Sequence, residues 1–167
     1  MFPILLFLLS TLFTQSFSTH NAHLKIINPQ ITVMGVVYCD ICSNNTFTKH
    51  SYFIPGVEVE INCKFKAVSP RTKEHIEFSV NRTTNRFGMY KLEISSVDGI
   101  QCATKSALES SCQACLMWTS SSSCNVPGYR TTTDEIAINS KQDNVCFYSL
   151  GALNYRPNER NKALCGN

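Results

Sequence analysis

Val57-Glu58-Val59-Glu60-Ile61-Asn62-Cys63-Lys64-Phe65-Lys66 alternates apolar and polar side chains without a break. Successive side chains of a strand point to opposite faces, so this period of two, not 3.6, describes a strand with one buried and one wet face. The pattern recurs further along. Ile76, Phe78 and Val80 alternate with Glu77 and Ser79, and Tyr90, Leu92 and Ile94 alternate with Lys91 and Glu93. Ile136 and Ile138 repeat it over a shorter stretch. Ile31 to Tyr38 and Cys112 to Trp118 are more uniformly apolar, as strands buried on both faces would be.

Turn formers fill the gaps: Pro55-Gly56, Ser69-Pro70, Asn85 to Gly88, Asp98-Gly99 and Pro127-Gly128. About seven short strands separated by such turns predict an all-β domain, an antiparallel β-sandwich or barrel. Its inward set is Val57, Val59, Ile61, Phe65, Ile76, Phe78, Val80, Leu92 and Ile94. A helix of one or two turns is expected only at Lys105 to Ser111. The run Ser120 to Ser123 reads as a solvated loop.

The N-terminus is of another kind. Met1 to Ser18 holds no charged side chain, is apolar over Ile4 to Leu9, and ends in Ser16-Phe17-Ser18. Small residues one and three before a break suit signal peptidase, so cleavage is expected between Ser18 and Thr19. The apolar core is too short for a membrane of about 30 Å, and Ser10, Thr11, Thr14 and Gln15 interrupt it. The expected organisation is therefore a signal peptide (1–18), an extended leader (19–30) and a single β-domain (31–167). The formal charge of +3 is weak and scattered, with no basic stripe, which argues against nucleic acid as a partner.

All nine cysteines follow Ser18. In an oxidising compartment they read as a disulfide framework, and an odd number leaves at least one thiol free or paired between molecules. Two sequons, Asn44-Asn45-Thr46 and Asn81-Arg82-Thr83, agree with export. N-glycosylation is expected at Asn44 or Asn81. Asn81 ranks first, because fast closure of the nearby Cys39–Cys42 turn would hinder transfer to Asn44.

Cys39-Asp40-Ile41-Cys42 and Cys112-Gln113-Ala114-Cys115 are both C-x-x-C segments. Paired zinc motifs of this kind usually lie much closer in sequence. A redox motif needs its cysteine at a helix N-terminus, where the dipole lowers the thiol pKa. Here Cys39 follows a β-branched strand and Cys112 opens another, so structural disulfides are the expectation. Asp40 suits a turn cap through its neighbours' N–H groups. His20 and His23 fall in the leader. His50 and His75 fall in polar segments without an evident acid–base partner. No G-x-S-x-G, phosphate loop or metal-binding His pair occurs, so no catalytic residue, metal or cofactor is assigned.

Gly35-Val36-Val37-Tyr38-Cys39-Asp40-Ile41-Cys42 resembles the G-x-V-Y-C-D-x-C signature of the pollen Ole e I-like and extensin-like family. Phe53-Ile54-Pro55-Gly56 with the strand to Cys63 is similar to that family's next segment, Gly88-Met89-Tyr90 to its G-x-Y strand start, and Cys112 with Cys124-Asn125 to its next cysteine pair. Ser43 stands where the family often has Arg, and Cys102, Cys115 and Cys146 are additional. The resemblance implies a secreted, glycosylated β-domain without a common enzymatic activity. It also implies bridges Cys39–Cys124, Cys42–Cys165 and Cys63–Cys112. For the remaining cysteines we expect a bridge Cys102–Cys146 and a free thiol at Cys115. That residue has the opposite strand phase to Cys112 and lies among Ala114, Leu116 and Met117, as a small buried hydrophobe would.

The function expected is a secreted, non-enzymatic extracellular or cell-wall protein, a monomer without a membrane span, that binds wall polysaccharide or an extracellular protein. The alternatives are a secreted thiol-redox enzyme using a C-x-x-C, or a small protein inhibitor or receptor ligand.

Overall fold

Val59, Ile61, Cys63 and Phe65 are buried on one side of their strand, while Lys64 is exposed on the other. The computed structural model describes residues 30–67, 75–95, 108–132, 135–140 and 145–166. The expected signal peptide, its expected cleavage site and the expected leader up to residue 29 lie outside the described residues. The elements are β1 (Gln30–Cys39), β2 (Tyr52–Phe53), β3 (Glu58–Ala67), β4 (His75–Thr83), β5 (Met89–Ser95), β6 (Leu108–Trp118), β7 (Val126–Pro127), β8 (Glu135–Ser140), β9 (Val145–Leu150), β10 (Leu153–Arg156) and a single helical turn, α1 (Lys162–Cys165).

Two sheets result. In the smaller one β3 lies between β4 and β6, antiparallel to both. In the larger one β1 is central. Its first half pairs antiparallel with β5 and parallel with β9, and its last residues pair with β2 and, in parallel, with β10. The remaining ladders, β8 with β9 and β7 with β10, are antiparallel. Among the described residues the sheets do not close into a barrel. Their facing sides form one core that contains Ile31, Val33, Val59, Ile61, Phe65, Tyr90 and Leu92. Phe65 meets Phe78 and Tyr148 edge-on. Phe78 and Val80 are only partly buried, because β4 is an edge strand.

The two uniformly apolar stretches behave differently. β1 is buried on both faces, with Ile31, Thr32, Val33, Val37 and Tyr38 all covered. In β6, by contrast, Cys112, Ala114 and Leu116 are buried while Gln113, Met117 and Trp118 are exposed. β6 borders the open outer face of a three-stranded sheet, so only one side is covered. The helix expected at Lys105 to Ser111 is also corrected. Leu108 to Ser111 are strand, paired with Lys64 to Ala67, since ladder bonds along β3 override a weak local helix preference. Residues 105–107 lie outside the described residues.

Gly35 sits opposite Tyr90 in the β1–β5 register, and a Cβ there would overlap the Tyr90 ring. The glycine therefore lets the phenol lie across β1. Gly88, at φ +66°, lets the β4–β5 turn approach the carbonyl of Val37, and Val37 N donates to Gly88 O at 2.8 Å. Buried Thr84 ties this turn to the next loop, donating to Ile54 O (2.8 Å) and accepting from Val57 N (2.9 Å).

Candidate functional site: the stapled end

Chemistry, if any, would begin at the C-x-x-C that ends β1. Asp40 there is fully buried. Its Oδ1 accepts from Cys42 N at 3.1 Å and its Oδ2 from Asn45 N at 2.5 Å. The carboxylate thus organises the turn, in which Ser43 (φ 54°) and Asn45 (φ 58°) are left-handed. Asn45 Oδ1 accepts from Asn154 Nδ2 at 3.2 Å, and Asn154 Oδ1 accepts from Tyr129 N at 2.7 Å. Asn154 is itself fully buried beside Gly128, where a side chain would overlap its carboxamide. No sequence pattern marks Asn154 in advance.

The fixed turn sends its two cysteines in different directions. Cys39 is bridged to Cys124 and Cys42 to Cys165, with Cα separations of 6.0 and 5.4 Å. Cys63 is bridged to Cys112, its direct cross-strand partner, at 4.1 Å. The loops closed span 85, 123 and 49 positions. Each bridge should stabilise by roughly 2–4 kcal/mol, mainly by restricting the unfolded chain. Three of the four thiols that a two-motif zinc site would need are therefore engaged. The fourth, Cys115, is a free, half-buried thiol on the opposite face of β6 from Cys112. Its sulfur accepts from Thr131 Oγ1 at 3.8 Å. Cys102 lies outside the described residues, as does the side chain of Cys146, so the fourth expected bridge does too.

Above the turn lies a run of aromatic rings. Buried Tyr38 meets Phe47 edge-on at 5.2 Å, and Phe47 stacks on Phe53 at 5.2 Å. Burial raises the Tyr38 pKa, helped by the negative charge of Asp40 and by Tyr129. Burial also raises that of Tyr155, against the opposing Arg130 guanidinium. The Arg86 guanidinium stands 4.6 Å from the centre of the Phe87 ring. Phe47, Tyr52, Phe53, Phe87, Trp118 and Tyr129 are all exposed. They belong to the turn after β1, to β2, to the β4–β5 turn, to the end of β6 or to the segment after β7. Gly88 brings the β4–β5 turn against Phe53, Trp118 faces Glu58 at the start of β3, and Cys124 is stapled to Cys39, so these segments share one end of the sandwich. The other exposed large apolar side chains of the described residues are Met117 beside Trp118, Phe147, and Leu164 beside the Cys165 staple. Sequence reasoning missed this clustering, because single aromatics in loops carry no periodic signal.

Asn44 is exposed in the Asp40 turn, where its Oδ1 accepts from Thr46 Oγ1 at 2.7 Å. Asn81 lies within β4, exposed, and its Nδ2 donates to Glu58 Oε1 at 2.9 Å. His50 follows Asn44 in the loop, and His75 opens β4. Among the described residues no helix is long and apolar enough to cross a membrane.

No family model matches the chain, and no curated protein matches it. Among solved structures it is similar to the crystal structure of the major plantain pollen allergen Pla l 1, at a TM-score of 0.49 and 20% identity, covering 79% of this chain and 97% of that one.

Proposed function

We propose that this chain is a secreted, non-enzymatic extracellular or cell-wall protein of the Ole e I-like kind, acting as a monomer that binds wall polysaccharide or an extracellular protein through its stapled end. The observation that carries this reading is the gathering of exposed aromatic side chains at one end of the sandwich. Contiguous exposed apolar surface on a small soluble domain is the mark of an interaction site. Trp, Tyr and Arg are also the residues that dominate interface energetics. The end is held by two long-range disulfides and the Asp40 turn, so little ordering entropy would be lost on binding.

The cysteine geometry supports the non-enzymatic part. Dithiol–disulfide exchange within a C-x-x-C needs its two sulfurs to bond to one another. Here Cys39, Cys42 and Cys112 are each bridged to a segment outside their own motif.

Capture of the secreted, glycosylated protein on immobilised wall polysaccharides and on membrane-protein ectodomains tests the reading. Saturable binding to one of them is expected. The double variant Trp118→Ala/Tyr129→Ala should bind at least tenfold more weakly with an unchanged melting temperature, a loss of about 1.4 kcal/mol or more. Absence of binding, or undiminished binding by a folded double variant, refutes it.

A further inference from the structure

On the outer face of the β4–β3–β6 sheet, Asn62 lies opposite Ser79 on one side and Gln113 on the other. Next along the face, Lys64 lies between Glu77 and Ser111. These six side chains surround a cleft of about 340 Å³, bordered also by Cys63 and Phe78, whose own side chains turn to the inner face. The volume is at the lower end of ligand cavities, which run from about 300 to 1,000 Å³, and suits one or two sugar rings.

The polar groups are unevenly engaged. Lys64 and Glu77 neutralise each other at 3.1 Å. Ser79 donates to Glu60 Oε1 at 3.0 Å, which leaves its oxygen free to accept. Gln113 Nε2 makes only a long bond, 3.4 Å, to Thr132 O. Among the described residues, the Asn62 carboxamide and the Ser111 hydroxyl make no hydrogen bond. The cleft therefore offers amide and hydroxyl donors and acceptors and a balanced charge, with the methylene stems of Lys64 and Glu77 as its apolar surface. An anion would meet Glu60 and Glu77. An apolar peptide side chain would leave the amides without partners, which is unfavourable. A pyranose carries hydroxyls on its rim and C–H groups on its faces, and it satisfies both kinds of wall.

We propose that this cleft is a seat for a neutral pyranose unit of an extracellular oligosaccharide. The seat is separate from the stapled end and does not depend on that end being a docking surface. The same chemistry has a second source, since Asn81 lies two residues from Ser79 on the same strand. However, its Nδ2 is drawn to Glu58, opposite Thr83, which lies further from the cleft. We therefore assign the seat to saccharide from solution.

Saturation-transfer NMR on the full secreted protein tests this, with cellotetraose, xylotetraose and chitotriose as neutral probes and trigalacturonate as the charged one. Protein made with the Asn81 sequon and Asn81→Gln protein form the two arms. Transfer to at least one neutral probe is expected, weakened tenfold or more by Asn62→Ala and by Gln113→Ala but unchanged by Trp118→Ala. Transfer seen only with Asn81→Gln would support the seat and identify the chain's own glycan as its occupant. The proposal is overturned by no transfer to any neutral probe in either arm, by preference for trigalacturonate, or by binding that survives both cleft substitutions. Binding lost in Trp118→Ala alone would also overturn it, while leaving the stapled end as the binding surface.

Discussion

Asp40 shows how much a single residue's role can be read from its neighbours. A short carboxylate between two cysteines after a strand has N–H groups within reach and little else to do, and the structure has it accepting from Cys42 and Asn45. Asp40→Ala would leave those donors unpaired in a buried turn and should destabilise by about 2–4 kcal/mol, measured by urea unfolding without reductant. Asn154 plays a comparable part across the turn yet is unreadable in sequence, because its partners at Asn45 and Tyr129 are distant in the chain. Tyr90 has the opposite character. Its hydroxyl is buried with no partner among the described residues, and burial holds its pKa well above the ordinary tyrosine value. Tyr90→Phe should leave stability unchanged or raise it by about 1 kcal/mol at neutral pH. The pH dependence follows in sign. The unfolded phenol loses its proton near pH 10 while the folded one keeps it, so stability falls as pH rises above about 10. Tyr38 and Tyr155 act in the same direction. Urea midpoints followed from pH 8 to 11 should fall less steeply for Tyr90→Phe than for the natural chain.

At the scale of elements, β3 is the most readable, because Val57 just before it and four inward positions within it, in strict alternation, leave one arrangement. Ile61 is fully buried between β4 and β6, facing Val80 and Ala114 across the ladders. Ile61→Ala should cost about 2–5 kcal/mol through lost transfer energy and the cavity left behind, as thermal or urea unfolding would measure. β6 was misjudged in two ways. Apolar residues at Met117 and Trp118 imitated a doubly buried strand, and the alanine and leucine near its start imitated a helix. The first reading misses that β6 is an edge strand with one open face, and the second that Leu108 to Ser111 pair with β3. β2, β7 and β10 were missed because strands of two to four residues are too short to show a period. The parallel pairings of β1 with β9 and β10 depend on how the chain crosses over, which no local pattern encodes. The sequons belong to this scale too. We expect at least one of Asn44 and Asn81 to be occupied, so glycosidase treatment should increase the gel mobility of the plant-secreted protein, and an unchanged mobility would contradict this.

For the molecule as a whole, an all-β architecture is readable from alternation and turns, and the gathering of exposed aromatic side chains at one end is not. Phe47, Phe87, Trp118 and Tyr129 are scattered in sequence and share one end of the sandwich because the Cys39–Cys124 staple, the Asp40 turn and the close approach at Gly88 gather their segments. The disulfide pairing likewise follows from family resemblance and not from spacing, since nine cysteines allow many connectivities. A non-enzymatic protein requires those cysteines to be staples between distant segments and not a working dithiol. Mass-spectrometric peptide mapping of the native, unreduced protein addresses this directly. The account predicts Cys39 linked to Cys124, Cys42 to Cys165 and Cys63 to Cys112, with Cys115 open to alkylation once the protein is unfolded. Peptides carrying a Cys39–Cys42 or a Cys112–Cys115 bridge would contradict it and return the redox reading.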